Sequence, residues 1–176
     1  TISNNTPPRL TARLPDRVFD EDTVFYGALN LNDHFDDEDI LVGNDLITYT
    51  AVNRSVSVII HPTGEVDLGA SRDWFGSENI TFRATDSVRG FVQSVMRVDV
   101  LPVNDAPVFR MLPNMTGKLG KFVQLNLRDY ISDVDNTYEQ LVITTDNSTA
   151  LVNGPELMVY FTEGMPDSIR VTAQRR

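Results

Sequence analysis

Short apolar runs separated by turn residues extend along almost the whole chain. The runs Leu46–Ala51, Val56–Ile60 and Ile80–Thr85 are rich in Val, Ile, Thr, Tyr and Phe, and Asn, Asp, Gly and Pro separate them. In Phe91–Leu101 the residues Val92, Met96, Val98 and Val100 share one face with period two. No segment shows the period of an amphipathic helix. The pattern predicts an all-β chain built as a sandwich or a barrel.

A boundary is indicated where two prolines bracket a polar turn directly after the longest strand pattern. Pro102 and Pro107 enclose Val103-Asn104-Asp105-Ala106. Each proline removes an N–H and restricts the backbone, so the segment should be a short, semi-rigid connection. We predict a first module over residues 8–102, a linker over 103–107 and a second module over 108–176. The alternative is an ordinary loop within one domain.

An internal repeat supports the division. Strand, acidic aromatic turn and strand occur in this order at residues 24–31, 33–39 and 46–51, and again at 122–127, 129–135 and 141–144. The second copy is shorter, and its last strand pattern covers residues 169–173. It is therefore either truncated or a smaller variant, and a chain that begins with Thr1 looks like a fragment or a processed product. We expect the edge beside residues 169–173 to be open, swapped or covered by a loop, because bare strand edges aggregate.

Composition excludes several function classes. The chain of 176 residues has 41% hydrophobic residues, a net charge of −10 and no cysteine. Its apolar runs are far shorter than the roughly 20 residues of a membrane span. The acidic balance argues against nucleic-acid and anionic-membrane partners, and it suits divalent cations or simple solubility. Without cysteine there is no thiol nucleophile, zinc–thiolate site or disulfide framework.

A series of short motifs runs through the first module and the linker. They are Glu21-Asp22-Thr23, Asp37-Glu38-Asp39, Thr63-Gly64-Glu65-Val66, Asp73-Trp74-Phe75-Gly76, Phe82-Arg83-Ala84-Thr85-Asp86 and Val103-Asn104-Asp105-Ala106-Pro107-Val108-Phe109. In this order they resemble the cadherin-like repeat superfamily, especially microbial cell-surface repeats with a "VNDAP" linker. The resemblance implies two consecutive cadherin/Ig-like antiparallel β-sandwich modules, the second shorter or truncated. It also implies an extracellular or cell-surface location and no enzymatic activity.

The resemblance also implies a metal site. In that family, acidic groups from one module, the linker and the next module converge on Ca²⁺, which takes 6–8 oxygen ligands. The positions that match are Glu21, Asp73, Asn104, Asp105, Asp133 and Asp135.

Three departures at this site leave one ion or none as the expectation. Pro102 and Ala106 replace polar linker residues, and Arg175 or Gln174 stands where an Ala-x-Asp carboxylate is expected. The alternative is that Asp105 caps a turn while Asp133 and Asp135 are solvated. The loop Asp36–Asp39 is a second candidate, for an ion shared with a preceding module; its alternative is a solvent-exposed acidic loop.

The predicted function is a structural or adhesive segment of a cell-surface rod, with neighbouring repeat modules as partners. The rival is an accessory module that binds a glycan or a protein, through the loops around Trp74 or as part of a larger secreted enzyme. An exposed Trp74 with neighbouring rings favours glycan binding, whereas a buried one favours a scaffold. His34 and His61 are far apart in sequence, and no catalytic motif occurs. Five sequons give mild support for a secreted glycoprotein, at Asn4, Asn53, Asn79, Asn114 and Asn147.

Overall fold

The computed structural model describes residues 5–39 and 46–176, so the sequon at Asn4 lies outside the described residues. The chain folds as two compact units, of which the first ends at Val103 and the second runs from Asn104 to Arg176. The described elements are β-strands and three short 3₁₀ turns, without an α-helix. Each unit has its own buried core and its own sheets. The architecture is the predicted pair of cadherin/Ig-like β-sandwich modules, with the second one shorter.

The first unit is a sandwich of a four-stranded and a three-stranded sheet. Its strands are β1 (Arg9–Leu10), β2 (Arg17–Asp20), β3 (Val24–Asn30), β4 (Phe35–Asp36), β5 (Thr48–Val52), β6 (Val56–Ile60), β7 (Glu65–Ala70), β8 (Gly76–Thr85) and β9 (Phe91–Leu101). One sheet has the order β2-β9-β8-β5 and the other β3-β7-β6, while β1 pairs with β4. Among the described residues of this unit, all pairs are antiparallel except β2 with β9, which is parallel.

Period-two patterning places the core of the first unit as the sequence predicts. Phe82, Ala84 and Val98 are completely buried, and Val100 is nearly so. These side chains point into the space between the two sheets, where each contributes roughly 1.5–3 kcal/mol by leaving water. The strand predictions over Val56–Ile60 and Phe91–Leu101 coincide with β6 and β9.

A bulge in β3 is held by a buried acidic residue. The register between β3 and β7 shifts between Phe25 and Leu29, and Gly27 within the shift has a φ of 61°. The Gly27 N–H donates to Asp67 Oδ1 at 2.8 Å, and Asp67 Oδ2 lies 2.7 Å from His61 Nε2. The hydrogen bond from His61, followed by that from Gly27, lowers the pKa of Asp67. The extra residue is thus accommodated by left-handed backbone and by a carboxylate acceptor.

The second unit repeats the first with two strands fewer than the described part of the first unit contains. Its strands are β10 (Val108–Phe109), β11 (Phe122–Asn126), β12 (Ile131–Ser132), β13 (Leu141–Thr145), β14 (Ala150–Asn153), β15 (Glu156–Tyr160) and β16 (Val171–Arg175). The sheet β11-β15-β14 has the topology of β3-β7-β6, the pair β13-β16 matches β5-β8, and β10-β12 matches β1-β4. Residues 104–176, all of which are described, contain no counterpart of β2 or β9.

The repeat includes a capped 3₁₀ turn, which follows β3 in the first unit and β11 in the second. Asn30 accepts a hydrogen bond from the Asn32 N–H at the start of one 3₁₀ turn, and Asn126 accepts one from the Arg128 N–H at the other. The turns, Leu31–Asp33 and Leu127–Asp129, each begin with a completely buried leucine. An Asn cap satisfies a free N–H while the leucine anchors the turn in the core. These capped turns lead into the predicted acidic segments 33–39 and 129–135.

Candidate metal-binding residues

Glu21 is an almost completely buried acidic candidate of the first unit. It directly follows β2, and its N–H donates to the Leu101 carbonyl at 2.9 Å. Its side chain is only 2% exposed, and Oε1 accepts the Val103 N–H at 2.9 Å. Oε2 is buried without a hydrogen-bond partner. A buried carboxylate oxygen without a donor is costly, so this oxygen is a candidate ligand for a cation.

Asp22 and Asp73 lie together close to Glu21 in the same unit. The Asp73 N–H donates to Asp22 Oδ1 at 3.2 Å, and both residues have left-handed backbone, with φ of 56° and 54°. Asp tolerates this conformation better than most residues, but it remains uncommon outside glycine. Sequence reasoning selected Glu21 and Asp73 and left Asp22 out of the ligand set. Its position next to Glu21 was the available signal.

Asp133 organises the acidic turn of the second unit. Its Oδ1 accepts the N–H groups of Asp135 and Asn136, at 3.0 and 2.8 Å, and the Asn136 side-chain amide at 3.0 Å. Its Oδ2 is buried and has no hydrogen-bond partner. The turn therefore fixes one oxygen of the carboxylate and leaves the other for a group that the protein does not supply. Asp133 is not the freely solvated residue that the alternative interpretation required.

The linker residues of the second unit converge on this turn. The Asp105 N–H donates to Asp135 Oδ2 at 2.7 Å, and Asn104 Oδ1 accepts the Asn136 side-chain amide at 3.0 Å. The structure thus brings together four predicted residues, Asn104, Asp105, Asp133 and Asp135, and adds Asn136, which sequence reasoning missed. The signal that could have identified Asn136 is its position directly after Asp133-Val134-Asp135, because its side-chain amide can bond to the same turn.

Arg175 supplies a positive charge at the same place. It ends β16, and its Nη1 donates to Asn104 Oδ1 at 3.2 Å. In the sequence motif, Ala173-Gln174-Arg175 corresponds to Ala84-Thr85-Asp86 of the first unit, where Asp86 accepts the N–H groups of Val88 and Gly90. An arginine in place of an acidic residue reduces the negative charge that an ion would neutralise. Arg175, which the sequence analysis identified as a departure from the family pattern, therefore contacts the linker residue Asn104.

The acidic loop of the first unit repeats the arrangement of the second. Asp37 Oδ1 accepts the Asp39 N–H at 2.9 Å, as Asp133 does from Asp135, and the Thr6 N–H donates to Asp39 Oδ2 at 2.6 Å. Asp37 is only 2% exposed, and its Oδ2 is buried without a partner. The interpretation of this loop as simply solvent-exposed is wrong for Asp37, because the turn folds its side chain inward.

The donor sets fit a hard cation. Carboxylate and amide oxygens are the ligands that Ca²⁺ prefers, and softer or smaller metals favour other donors or tighter geometry. In the first unit these oxygens belong to Glu21, Asp22 and Asp73. In the second they belong to Asn104, Asp105, Asp133 and Asp135. Glu21 and Asp133 each keep a buried carboxylate oxygen to which no group of the protein donates, so each set has an oxygen that is open to a cation.

Trp74 belongs to the core periphery and not to an aromatic platform. It is half-buried and packs against the buried residues of the first unit. None of the three aromatic ring pairs among the described residues includes it. A groove of about 500 Å³ passes beside it, lined mainly by polar residues such as Asn53 and Glu78. By the criterion set from the sequence, the position of Trp74 favours a scaffold over a glycan site.

Comparison with known proteins supports the fold alone. No family model matches the chain, and no curated protein matches its sequence. The structure resembles that of Drosophila N-cadherin EC1-4, with a TM-score of 0.52 and 12% identity over 98% of this chain and 46% of that one. It also resembles PcdhgB3 EC1-4, with a TM-score of 0.50 and 14% identity over 98% of this chain and 49% of that one. The fold is therefore cadherin-like.

Other similarities are weaker. An endo-fucoidan hydrolase from glycoside hydrolase family 107 matches with a TM-score of 0.45 and 14% identity, over 98% of this chain and 28% of that one. A score of this size supports no argument about function. The chain spans less than two thirds of each of these proteins. Among the described residues, no helix is long and apolar enough to cross a membrane.

Proposed function

We propose that this chain is a non-catalytic extracellular module, a segment of a cell-surface rod, that binds Ca²⁺ through residues on either side of its linker. The modules cover residues 8–102 and 108–176, and residues 103–107 connect them. The cadherin-like fold supports the structural or adhesive role. The observation that carries the metal proposal is the pair of buried carboxylate oxygens without donors, Glu21 Oε2 and Asp133 Oδ2. The Glu21 carboxylate accepts the N–H of the linker residue Val103. The Asp133 carboxylate accepts the N–H of Asp135, which in turn accepts the N–H of the linker residue Asp105.

The residues that would hold the ion precede and follow the linker in the sequence. Glu21 and Asp73 belong to the first unit, with Asp22 added by the structure. Asn104, Asp105, Asp133 and Asp135 belong to the second. Bound Ca²⁺ would supply positive charge that offsets the mutual repulsion of these carboxylates. The residues themselves fix their own orientation through the backbone donors of Val103, Asp105 and Asp135, and this preorganisation lowers the cost of binding.

The binding should be weaker than that of a complete multi-ion cluster. Ca²⁺ affinity rises with the number and charge of its ligands. Pro102 and Ala106 offer no side-chain oxygen, and Arg175 adds a positive charge beside Asn104. We therefore propose a single ion.

The proposal is tested by thermal melting of the full chain in Ca²⁺ and in chelator, together with calorimetric titration. We expect Ca²⁺ to raise the melting temperature, because a ligand of the folded form stabilises it by mass action. Mg²⁺ should substitute poorly, since it requires tight octahedral geometry and releases water reluctantly. The double variant Asp105→Ala/Asp135→Ala should abolish the effect and leave both units folded.

The matched control is Glu163→Ala/Asp167→Ala, which removes the same number of carboxylates from exposed positions of the second unit. It should keep the full response to Ca²⁺. Identical melting curves of the wild type in Ca²⁺ and in chelator would leave a Ca²⁺-free rod as the better model.

A further inference from the structure

The outer face of the sheet β11-β15-β14 carries an exposed pair of aromatic rings. Phe122 and Tyr160 are cross-strand partners in β11 and β15, and they are 61% and 38% exposed. Their ring centroids lie 4.9 Å apart, with an angle of 50° between the ring planes. Further along the same face, Met158 lies between Gln124 of β11 and Leu151 of β14. A contiguous exposed apolar patch with a polar rim marks a site of interaction.

Both lysines of the chain lie in the turn next to these rings. Lys118 and Lys121 are exposed, and the Lys121 N–H donates to the Lys118 carbonyl at 3.1 Å. The Gly120 N–H donates to the Phe161 carbonyl at 2.7 Å, which fixes the turn to the end of β15. A Cβ on Gly120 would lie 3.8 Å from the Tyr160 hydroxyl. The turn that carries the two ammonium groups is therefore held directly beside the Tyr160 ring.

The protein does not neutralise these two ammonium groups. Residues 104–176 contain seven basic and nine acidic residues, whereas residues 1–103 contain eight and sixteen, so the negative charge of the chain belongs mainly to the first unit. Within residues 104–176, no carboxylate forms an ion pair with Lys118 or Lys121. A lysine ammonium is a compact charge with three donors, which suits carboxylate, sulfate or phosphate groups. The outer face therefore favours an anionic partner.

The groups that the face offers indicate which kind of anion fits. Strand β15 is paired on both sides, with β11 and with β14, so its N–H and C=O groups are not open to another strand. An acidic peptide that binds as an added strand needs an open sheet edge, which this face does not provide. The face offers aromatic rings, ammonium groups and the Gln124 amide. These match the C–H faces, the acidic substituents and the hydroxyl groups of a sugar chain.

The first unit has a different surface at the matching position. At the end of its sheet that corresponds to the ring pair, β3 and β7 pair Val24 with Gly69. The bulge at Gly27 interrupts the register of the same sheet, whereas β11 and β15 pair without a shift. Residues 1–103 contain no lysine. The combination of rings and ammonium groups is therefore a property of the second unit and not a general consequence of the repeated sheet.

We propose that the outer face of β11-β15-β14 binds an acidic polysaccharide. Its sugar rings pack against Phe122 and Tyr160, and its carboxylate or sulfate groups bind Lys118 and Lys121. The site is distinct from the groove beside Trp74 in the first unit. None of the candidate metal ligands belongs to it, so the proposal does not depend on Ca²⁺ binding.

The experiment is calorimetric titration of the full chain in chelator, which prevents Ca²⁺ from bridging protein and polysaccharide. Oligogalacturonate is the carboxylated probe, and a heparin-derived oligosaccharide is the sulfated one. We expect saturable binding of at least one of them, and at least tenfold weaker binding of a neutral glucan oligosaccharide of the same length. Added salt should weaken the binding, because exposed charges are screened. The preference between the probes identifies the acidic group.

Two double variants test the two parts of the site. Lys118→Gln/Lys121→Gln should bind the preferred probe at least tenfold more weakly and with a smaller dependence on salt. Phe122→Leu/Tyr160→Leu keeps an apolar cross-strand pair and removes both rings, and it should also bind at least tenfold more weakly. Thermal melting in chelator checks that each variant is folded. Because both lysines are exposed, their variant should fold and tests the proposal even if the leucine variant does not fold.

The matched control for charge is Arg110→Gln/Arg176→Gln. It removes two exposed positive charges from other segments of the second unit, and it should bind the probe as the wild type does. An equal loss of affinity in this control would reduce the effect to general charge attraction and would overturn the proposal.

Four further outcomes would also overturn it. The first is the absence of binding by both acidic probes, and the second is unchanged affinity in the lysine or the leucine variant. The third is self-association in sedimentation velocity that the leucine variant abolishes, which would assign the face to a second copy. The fourth is binding to phosphatidylglycerol vesicles that the leucine variant abolishes, which would assign the face to a membrane surface.

Discussion

Replacing Glu21 with Gln should stabilise the first unit or leave it unchanged in chelator, and should destabilise it in Ca²⁺. The substitution keeps the shape of the side chain and the acceptor for the Val103 N–H, and it replaces the buried charged oxygen that lacks a donor with a neutral NH₂ group. Leaving such a group buried costs about 1–3 kcal/mol, and more when it is charged. The hydrogen bond from Val103 loses its charge assistance, which costs about 1 kcal/mol. In chelator the variant should therefore equal or exceed the wild type, by up to roughly 2 kcal/mol.

In Ca²⁺ the order should reverse. A ligand at a hundred times its Kd stabilises the folded form by about 2.7 kcal/mol, and Glu21→Gln should lose most of this gain. About 1 kcal/mol corresponds to roughly 4 °C in a domain near 100 residues, so both differences are measurable by differential scanning calorimetry. If Glu21→Gln lowered the melting temperature by the same amount in chelator and in Ca²⁺, Glu21 would have only a structural role.

Glu78 provides a matched control for this experiment. It is also a partly buried glutamate of the first unit, but its carboxylate accepts three backbone N–H groups, from Arg54, Ser55 and Val56. Glu78→Gln removes a charge that the protein already satisfies. It should destabilise the first unit equally in both buffers, because each charge-assisted hydrogen bond weakens without any link to the ion.

Two further predictions concern charge. Arg175→Asp places a carboxylate where the first unit has Asp86 in the sequence motif. We expect at least tenfold tighter Ca²⁺ binding by calorimetry, about 1.4 kcal/mol, and a smaller gain for Arg175→Gln. Unchanged affinity in both variants would show that Arg175 does not influence the site. The pKa of Asp67 is lowered in the folded state. The ionised Asp67 side chain therefore stabilises the fold above its ordinary pKa of about 3.9, and this stabilisation is lost as the pH falls through the lower pKa of the folded state. Asp67→Asn should therefore flatten the loss of stability below about pH 4 in urea unfolding, and an unchanged pH profile would contradict this.

The sequence predicts most of the strands because their side chains alternate between core and solvent. The bounds of β6 and β9 follow directly from this pattern, and so does the burial of Phe82 and Val98. Strand β2 could not be predicted in this way. Its sequence Arg17-Val18-Phe19-Asp20 is short and carries a charge at each end, so it has little strand pattern of its own. It forms because the edge of β9 offers a partner, which is a tertiary effect.

The candidate ligands were predictable by position, but their environment was not. The sequence showed which acidic residues belong to the candidate set, and in the structure those of each unit lie in hydrogen-bonding contact with one another. The burial of Asp37 and Glu21 could not be read from an acidic segment, because it depends on which N–H groups the folded turn offers. Asp22 and Asn136 were missed for a similar reason, since only hydrogen bonds of the folded chain bring them into the sets.

The parallel pair β2–β9 determines how the first unit would respond to a stretching force. Tension enters β2 at its N-terminal end and leaves β9 at its C-terminal end, so the two strands are pulled in opposite directions along their length. The pairs from Arg17–Val98 to Asp20–Leu101 are then loaded together in shear and cannot be opened one at a time. The Glu21 N–H bond to Leu101 and the Val103 N–H bond to Glu21 extend this patch.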